Sequence, residues 1–344
     1  MEIIERADLD FESLAFEYRK TDINVRYTYK DGKWDDGIET SDDTIPMHIA
    51  ATCLHYGQEA FEGLKVYQAK DGRVLSFRVE ENAKRMAHSA DLLVMKAPPV
   101  DLFTEAVTRV VRANKRFIPP YGSGSALYVR PLILGITPRI GVKPADDFMF
   151  MVLVTPVGPY FKAGFSATKI LLDGTIDRAS PQGVGTAKAG GNYAAGLRGT
   201  VKARSTGYGE ALYLDAKEMK YVEELGAANF FGITADGAYV TPKSPTILRS
   251  ITNMSLRTVA ADLGYRVEER PVLFSEISEF IETGACGTAA VISPIQSITY
   301  QGKDIVYLPD ETPGPHCTKL YNALTAIQYG DAPDPHGWTK EIKL

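Results

Sequence analysis

Short apolar runs and amphipathic stretches alternate along the chain, and their periods separate strands from helices. Val66-Tyr67 and Val74-Leu75-Ser76-Phe77 lie either side of an Asp71-Gly72 turn and are predicted to be strands. Residues 81–94 and 101–117 follow with helical spacing; Asp101 is the candidate N-cap of the second, and Pro119-Pro120 its stop. The longer apolar runs at 127–136 and 148–154 are predicted as buried strands. Further strands are predicted at 170–172, 211–214 and Asn229–Ile233, with helices after Tyr193, after Thr252 and near 315–328. Leu256, Val259, Ala260 and Leu263 recur at i, i+3, i+4 and i+7, with Gly264 as the stop. Strands and helices mixed without a regular βαβ period predict an α+β fold.

At 344 residues the chain exceeds a typical single core, which predicts two domains. Residues 158–168, with Pro159, Tyr160, Lys162 and Gly164, read as the connection between a domain at 1–157 and another at 169–344. A formal charge of −5 supplies no basic surface, so nucleic acid is not an expected partner. No apolar run reaches the length of a membrane span, and Met1-Glu2-Ile3-Ile4-Glu5 is unlike a signal peptide; the expected location is cytoplasmic. Cys53, Cys286 and Cys317 are odd in number and far apart, which fits a reducing compartment; Cys286 reads as a small buried residue. The five histidines show no ligand spacing, so no metal site is expected.

Three segments carry candidate chemistry. Thr186-Ala187-Lys188-Ala189-Gly190-Gly191-Asn192-Tyr193 sets one lysine among small residues, and its nearest charges in sequence, Arg178 and Arg198, share its sign. Low polarity and like charge disfavour an ammonium, which would free the amine as nucleophile and base. Glu223-Glu224 runs directly into Leu225-Gly226-Ala227-Ala228. Glu223 is expected to face water; Glu224, heading into an apolar stretch, needs a cationic partner such as a protonated pyridine nitrogen. Ser250-Ile251-Thr252 opens a helix whose N-terminal amides suit a phosphate. Gly287-Thr288-Ala289-Ala290 could add a hydroxyl and turn amides, and Arg78 a fixed cation. A nicotinamide-binding reading of Gly183-Val184-Gly185 fails, because the third glycine is not at the required spacing.

In this order the segments resemble the branched-chain amino-acid aminotransferases, pyridoxal phosphate (PLP) enzymes of fold type IV. The resemblance runs from about Ile45 to Gly330. It includes His55-Tyr56-Gly57-Gln58-Glu59-Ala60-Phe61-Glu62-Gly63-Leu64-Lys65, Tyr128-Val129-Arg130 and Lys188-Ala189-Gly190-Gly191-Asn192-Tyr193. It implies a two-domain α+β fold with a small N-terminal α/β domain and a larger PLP-binding domain built on a β-barrel-like core. It further implies a homodimer with the site where the domains meet.

By this resemblance Lys188 is the Schiff-base lysine, Tyr193 the phenol on the cofactor's 3′ oxygen, and Glu224 the partner of the ring nitrogen. Arg78, Ile251, Thr252 and Thr288 match the phosphate ligands, and Leu248 the residue against the ring. Tyr128 with the Thr288 and Ala289 amides matches the substrate α-carboxylate cradle; Tyr56, Phe61, Gly63, Arg130 and Tyr160 match the side-chain pocket. Arg178 matches a supporting arginine. The implied substrates are L-leucine, L-isoleucine or L-valine with 2-oxoglutarate, giving the 2-oxo acid and L-glutamate. Among relatives that share the lysine and glutamate, the strings Phe61-Glu62-Gly63 and Tyr128-Val129-Arg130 favour this substrate class over D-amino acids. Two departures stand out: Ala290-Val291-Ile292-Ser293 replaces a Cys-x-x-Cys pair, and Ser250 replaces a glycine at the helix start.

Overall fold

The computed structural model describes residues 4–159 and 165–344, which divide into two compact units. The first comprises Met1–Lys162, Ala187–Gly190 and Ala326–Leu344, and the second Ala163–Thr186 and Gly191–Thr325.

In the first unit a mainly antiparallel sheet runs in the order Thr339–Glu341, Val74–Phe77, Leu64–Gln68, Ala126–Gly135, Phe148–Val157, Asn24–Lys30, Lys33–Trp34. Glu59–Phe61 pairs with the far end of Ala126–Gly135. The helices are α1 (Thr52–Tyr56), α2 (Val79–Leu92) and α3 (Val100–Ala113). Helix α3 buries Phe103, Ala106, Val107, Val110 and Val111, the i, i+3, i+4, i+7, i+8 stripe of a helix that covers a sheet. Its Phe103 stacks on Phe150 at 5.7 Å, and Tyr27 stacks on the same ring at 6.0 Å. Alternation along Ala126–Gly135 buries Leu127, Val129 and Ile133 in this core and turns Tyr128, Arg130 and Leu132 to the opposite face.

Helix α2 begins two residues earlier than the periodicity suggests, and α3 one residue earlier. Asp101 is not the N-cap of α3; Pro99 holds that position with no side-chain bond, and Asp101 sits in the first turn, where a carboxylate suits the helix dipole.

The second unit is built on a ten-stranded sheet that closes on itself. Asn229–Ile233, Glu282–Gly287, Val291–Tyr300, Thr168–Leu172, Glu210–Leu214 and Tyr221–Leu225 pair in sequence, and the last returns to the first through Glu224 opposite Asn229. This six-stranded ring is the barrel-like core expected above. Helices α4 (Gly190–Ser205), α5 (Ile251–Asp262) and α6 (Pro315–Tyr329) complete it. Ile170, Leu172, Leu212, Val222, Phe230, Ala285, Ile295 and Ile298 form its apolar core.

The linear division at 157 and 169 differs from the observed units in two places. Residues 326–344 return to the first unit, because Thr339–Glu341 adds an edge strand to Val74–Phe77 and Tyr329 packs on Tyr67 at 4.7 Å. Ala187–Gly190 also joins the first unit, through backbone bonds described below. Much of the expected connection lies outside the described residues.

Candidate active site

In the first unit Lys188 is carried on a backbone held at three points. Its N–H donates to Ser89 Oγ of α2 (2.9 Å), and its carbonyl accepts from Phe61 N–H (2.9 Å). Two residues on, Gly190 N–H donates to the Glu59 carboxylate; a Cβ on Gly190 would collide with that group. Lys188 Nζ lies 4.6 Å from the Phe61 ring centroid. The Arg130 guanidinium covers the same ring at 4.9 Å and Tyr128 at 5.2 Å, and donates to Tyr128 Oη at 3.2 Å. A Cβ on Gly63 would fall on that hydroxyl, so the glycine is what lets Tyr128 lie flat across the strand. Phe61, Gly63, Tyr128, Arg130 and Lys188 are thereby brought together.

Glu62 is fully buried and bonded by Arg85 through both oxygens (2.7 and 2.7 Å) and by Asn82 (2.8 Å), which fixes the strand between Phe61 and Gly63. Lys65, directly across the ladder from Tyr128, has its ammonium disfavoured by burial and its pKa lowered to about 8. Tyr56 lies apart from this group; it is exposed on α1, and its hydroxyl donates to the Ile140 carbonyl. Arg78, half-buried, begins α2 in the left-handed region (φ 52°), with its guanidinium 4.9 Å from the Trp338 ring centroid. Tyr160 lies outside the described residues.

In the second unit Glu224 is buried at the pair that closes the barrel. Its Oε1 accepts from Arg178 Nη2 (2.8 Å) and Leu248 N–H (3.0 Å), and its Oε2 from Asn229 Nδ2 (2.8 Å). Asn229 also donates to the Leu248 carbonyl (3.1 Å). Desolvation pushes the Glu224 carboxyl upward, and Arg178 opposes it most strongly. Arg178 thus gives Glu224 a cationic partner within the chain, where the sequence suggested a protonated ring nitrogen. Arg178 is in turn held by the carbonyls of Gly185 (3.3 Å) and Thr246.

Glu223 corrects the expectation that it faces water. It is 3% exposed and accepts from Ser244 Oγ (2.9 Å) and Thr246 Oγ1, because its strand is part of the barrel wall and is paired on both sides. Burial raises its pKa.

Helix α5 starts with Ser250 as N-cap, its Oγ accepting from Asn253 N–H (3.2 Å). At φ −68° the position does not require glycine, so the departure from the family pattern is accommodated and the side chain caps the helix. Met254 N–H closes the first turn on the Ser250 carbonyl (3.0 Å), leaving the Ile251 and Thr252 amides at the positive end of the helix. Asn253 ties this helix to the barrel closure, donating to Asn229 Oδ1 (3.2 Å) and Thr241 Oγ1 (2.9 Å). Thr288 and Ala289 belong to the three-residue hairpin turn between Gly287 and Val291, and Tyr193 stands half-buried in the first turn of α4.

Residues 59–298 match the family described as amino-transferase class IV. The chain belongs to the class IV aminotransferases. Its relatives include the branched-chain-amino-acid aminotransferase of Haemophilus influenzae, 46% identical over 342 residues, covering 98% of this chain and 99% of that protein. The crystal structure of the branched-chain amino acid aminotransferase of Escherichia coli superposes with a TM-score of 0.79 at 26% identity, covering 94% of this chain and 100% of that one. That of the branched-chain aminotransferase from the thermophilic archaeon Thermoproteus uzoniensis, with norvaline, gives a TM-score of 0.76 at 25% identity, covering 93% and 100%. The closed barrel and its companion sheet are the type IV fold of this family.

Sequence reasoning missed Ser89, Glu59, Asn229, Asn253 and Trp338. Each acts through a contact distant in sequence or across a hairpin; Glu59 lies within the string from His55 to Lys65, but nothing in that string says that its carboxylate meets Gly190. The described residues contain no cluster of His, Cys, Asp and Glu able to hold a metal, and no helix among them is long and apolar enough to cross a membrane.

Proposed function

We propose that this class IV aminotransferase transfers the amino group of L-leucine, L-isoleucine or L-valine to 2-oxoglutarate, using pyridoxal phosphate, and acts as a homodimer in the cytoplasm. The observation that carries the substrate class is the 46% identity, over nearly the whole of both chains, to a relative bearing that activity in its name.

The residues present fit the cofactor. Among the described residues Glu224 Oε2 accepts a single bond, which leaves capacity for a protonated ring nitrogen. The Ile251 and Thr252 amides at the start of α5 suit a phosphate dianion, and by the family resemblance Arg78 and Thr288 would add donors to it. By the family resemblance Leu248 would pack against the ring, and Tyr193 would bond its phenolic oxygen. When bound, pyridoxal phosphate supplies an electron sink for the pair left at the substrate Cα. Lys188 Nζ is the covalent anchor and the base that takes the Cα proton. Arg178 favours the ionised form of Glu224 against the desolvation that raises its pKa, which would help the carboxylate to hold a proton at the ring nitrogen.

By the family resemblance Tyr128 and the Thr288 and Ala289 amides would receive the substrate α-carboxylate. Phe61 provides an apolar wall for a branched side chain, while Arg130, stacked on that wall, supplies a cation for the side-chain carboxylate of glutamate. Tyr56 and Tyr160 are assigned to the same pocket by resemblance. The homodimer is supported by apolar side chains left bare near α1: Ile49, Ile140 and Val142 are each at least 80% exposed, with Leu54 beside them on the helix. Cys286 and Cys317 are buried free thiols, as suits a reducing compartment.

The test is a panel of single amino donors with 2-oxoglutarate, scored by glutamate formed. Leucine, isoleucine and valine should each support turnover. Activity with D-amino acids and none with these three would overturn the assignment.

A further inference from the structure

The C-terminal segment is tied to the start of α2 in a way the reaction scheme does not use. Thr339 pairs with Phe77, and Arg78 N–H donates to the Trp338 carbonyl (2.8 Å). The Trp338 indole lies beneath the Arg78 guanidinium (4.9 Å), edge-on to Phe77 (5.7 Å, 81°) and stacked on His336 (4.5 Å, 26°). The loop that presents it is closed by Asp334. Its Oδ2 accepts from Thr339 N–H and Oγ1 (2.7 and 2.8 Å), and its Oδ1 from His336 N–H (3.3 Å). A tryptophan packed on two sides in this way is a rigid platform.

Arg78 itself sits in the left-handed backbone region, which a non-glycine residue adopts only when its surroundings compel it. The backbone bond to Trp338 and the guanidinium–indole contact are among the contacts that hold it there. A contact of the guanidinium with an aromatic ring restricts its rotamers while keeping its charge, and a guanidinium held in this way suits a phosphate.

We propose that Trp338 is a positioning residue for Arg78, so that the C-terminal segment completes the phosphate-binding apparatus. This rests on the reading of Arg78 as a phosphate ligand. The platform removes rotamer freedom from the arginine before the anion arrives, and the gain is specific to ligands that carry a phosphate.

The full-length apoprotein in a Trp34→Phe background has Trp338 as its one tryptophan, since the chain holds two. Titration with pyridoxal phosphate or inorganic phosphate should change its emission, and pyridoxal should change it far less. Trp338→Leu and Trp338→Phe, made in the otherwise native chain, are then compared by equilibrium dialysis against pyridoxal phosphate and pyridoxal. Trp338→Leu should raise the Kd for the phosphorylated form about threefold to thirtyfold, with pyridoxal changed less than about twofold and Trp338→Phe intermediate. Equal weakening of both ligands would reduce Trp338 to a structural part, and no change in either would remove the role altogether. Arg78→Gln separates the two levels of inference. If it leaves pyridoxal phosphate affinity intact, the arginine is not a phosphate ligand; if it weakens affinity while Trp338→Leu does not, only the positioning role falls.

Discussion

Replacing Arg178 by methionine should destabilise the cofactor-free protein in a manner that depends on pH. Arg178 and Glu224 form a buried ion pair at 2.8 Å, and Asn229 and Leu248 take up further acceptor positions of the carboxylate. At an effective dielectric of about 20 their attraction is about 4–6 kcal/mol, comparable with the desolvation of the two ions. The pair is therefore nearly neutral as a pair but costly to halve. With Arg178 gone the carboxyl can escape by taking a proton, and that escape caps the loss. Starting from its ordinary pKa of 4.5, holding it protonated costs about 3.4 kcal/mol at pH 7 and about 0.7 kcal/mol at pH 5.

The sign follows from proton counting. Burial raises the folded-state pKa, so between the unfolded and folded values the native protein binds more protons and loses stability as pH rises. Arg178→Met widens that window upward. Glu223 is also raised by burial and lowered by Arg178, so it adds in the same direction. Glu224→Gln differs, because the guanidinium it strands cannot be neutralised; its loss, about 3–5 kcal/mol, should not grow with pH but shrink as pH rises, since the raised carboxyl is removed with it. The double variant should recover much of the stability lost by either single one. Urea unfolding at pH 5 and pH 7 measures all four proteins. An Arg178→Met loss that is equal at the two pH values, or a cycle with no coupling, would refute the argument.

Lys188→Ala should bind pyridoxal phosphate noncovalently at best and form no glutamate from leucine and 2-oxoglutarate; residual turnover near the native rate would displace the lysine from its role. Arg130→Met should raise KM for 2-oxoglutarate about tenfold or more while changing that for leucine much less, since only the former brings a second carboxylate. Equal changes for both substrates would contradict the assignment. Gly63→Ala should push Tyr128 off the strand, at about 1–3 kcal/mol in stability, and weaken binding of every substrate alike through the shared α-carboxylate.

Local pattern carried the sequence reading a long way. Asn229–Ile233 appears with the bounds its composition suggests, and the helix expected after Thr252 is present, starting at Ile251 and ending at Asp262, just short of Gly264. Lys188, Glu224 and the α5 start were visible because each puts a charged or small-residue signature where core or helix would otherwise continue. What was illegible is long-range pairing. Nothing in the strings around Glu223 says that a strand five residues long closes a barrel and buries both of its carboxylates. Nor does Thr339–Glu341 announce that it will cross back to Val74–Phe77, since an edge strand three residues long has no periodicity to read.

The same long-range pairings explain why the candidate residues hold their geometry. Arg78 and Val291 both adopt left-handed backbone at the ends of strands, and for β-branched Val291 that conformation is especially unfavourable. Each is over-determined by strand pairing on its flank: Val291 by the ladder to Gly287 across the Thr288-Ala289-Ala290 turn, and Arg78 by Trp338. Glu224 is fixed comparably, as its backbone is the closing rung of the barrel and Asn229, the other half of the rung, binds its side chain. In all three cases a residue assigned to the cofactor or its turn sits where the fold itself leaves least freedom. Local strain can persist there because relieving it would require a sheet to open.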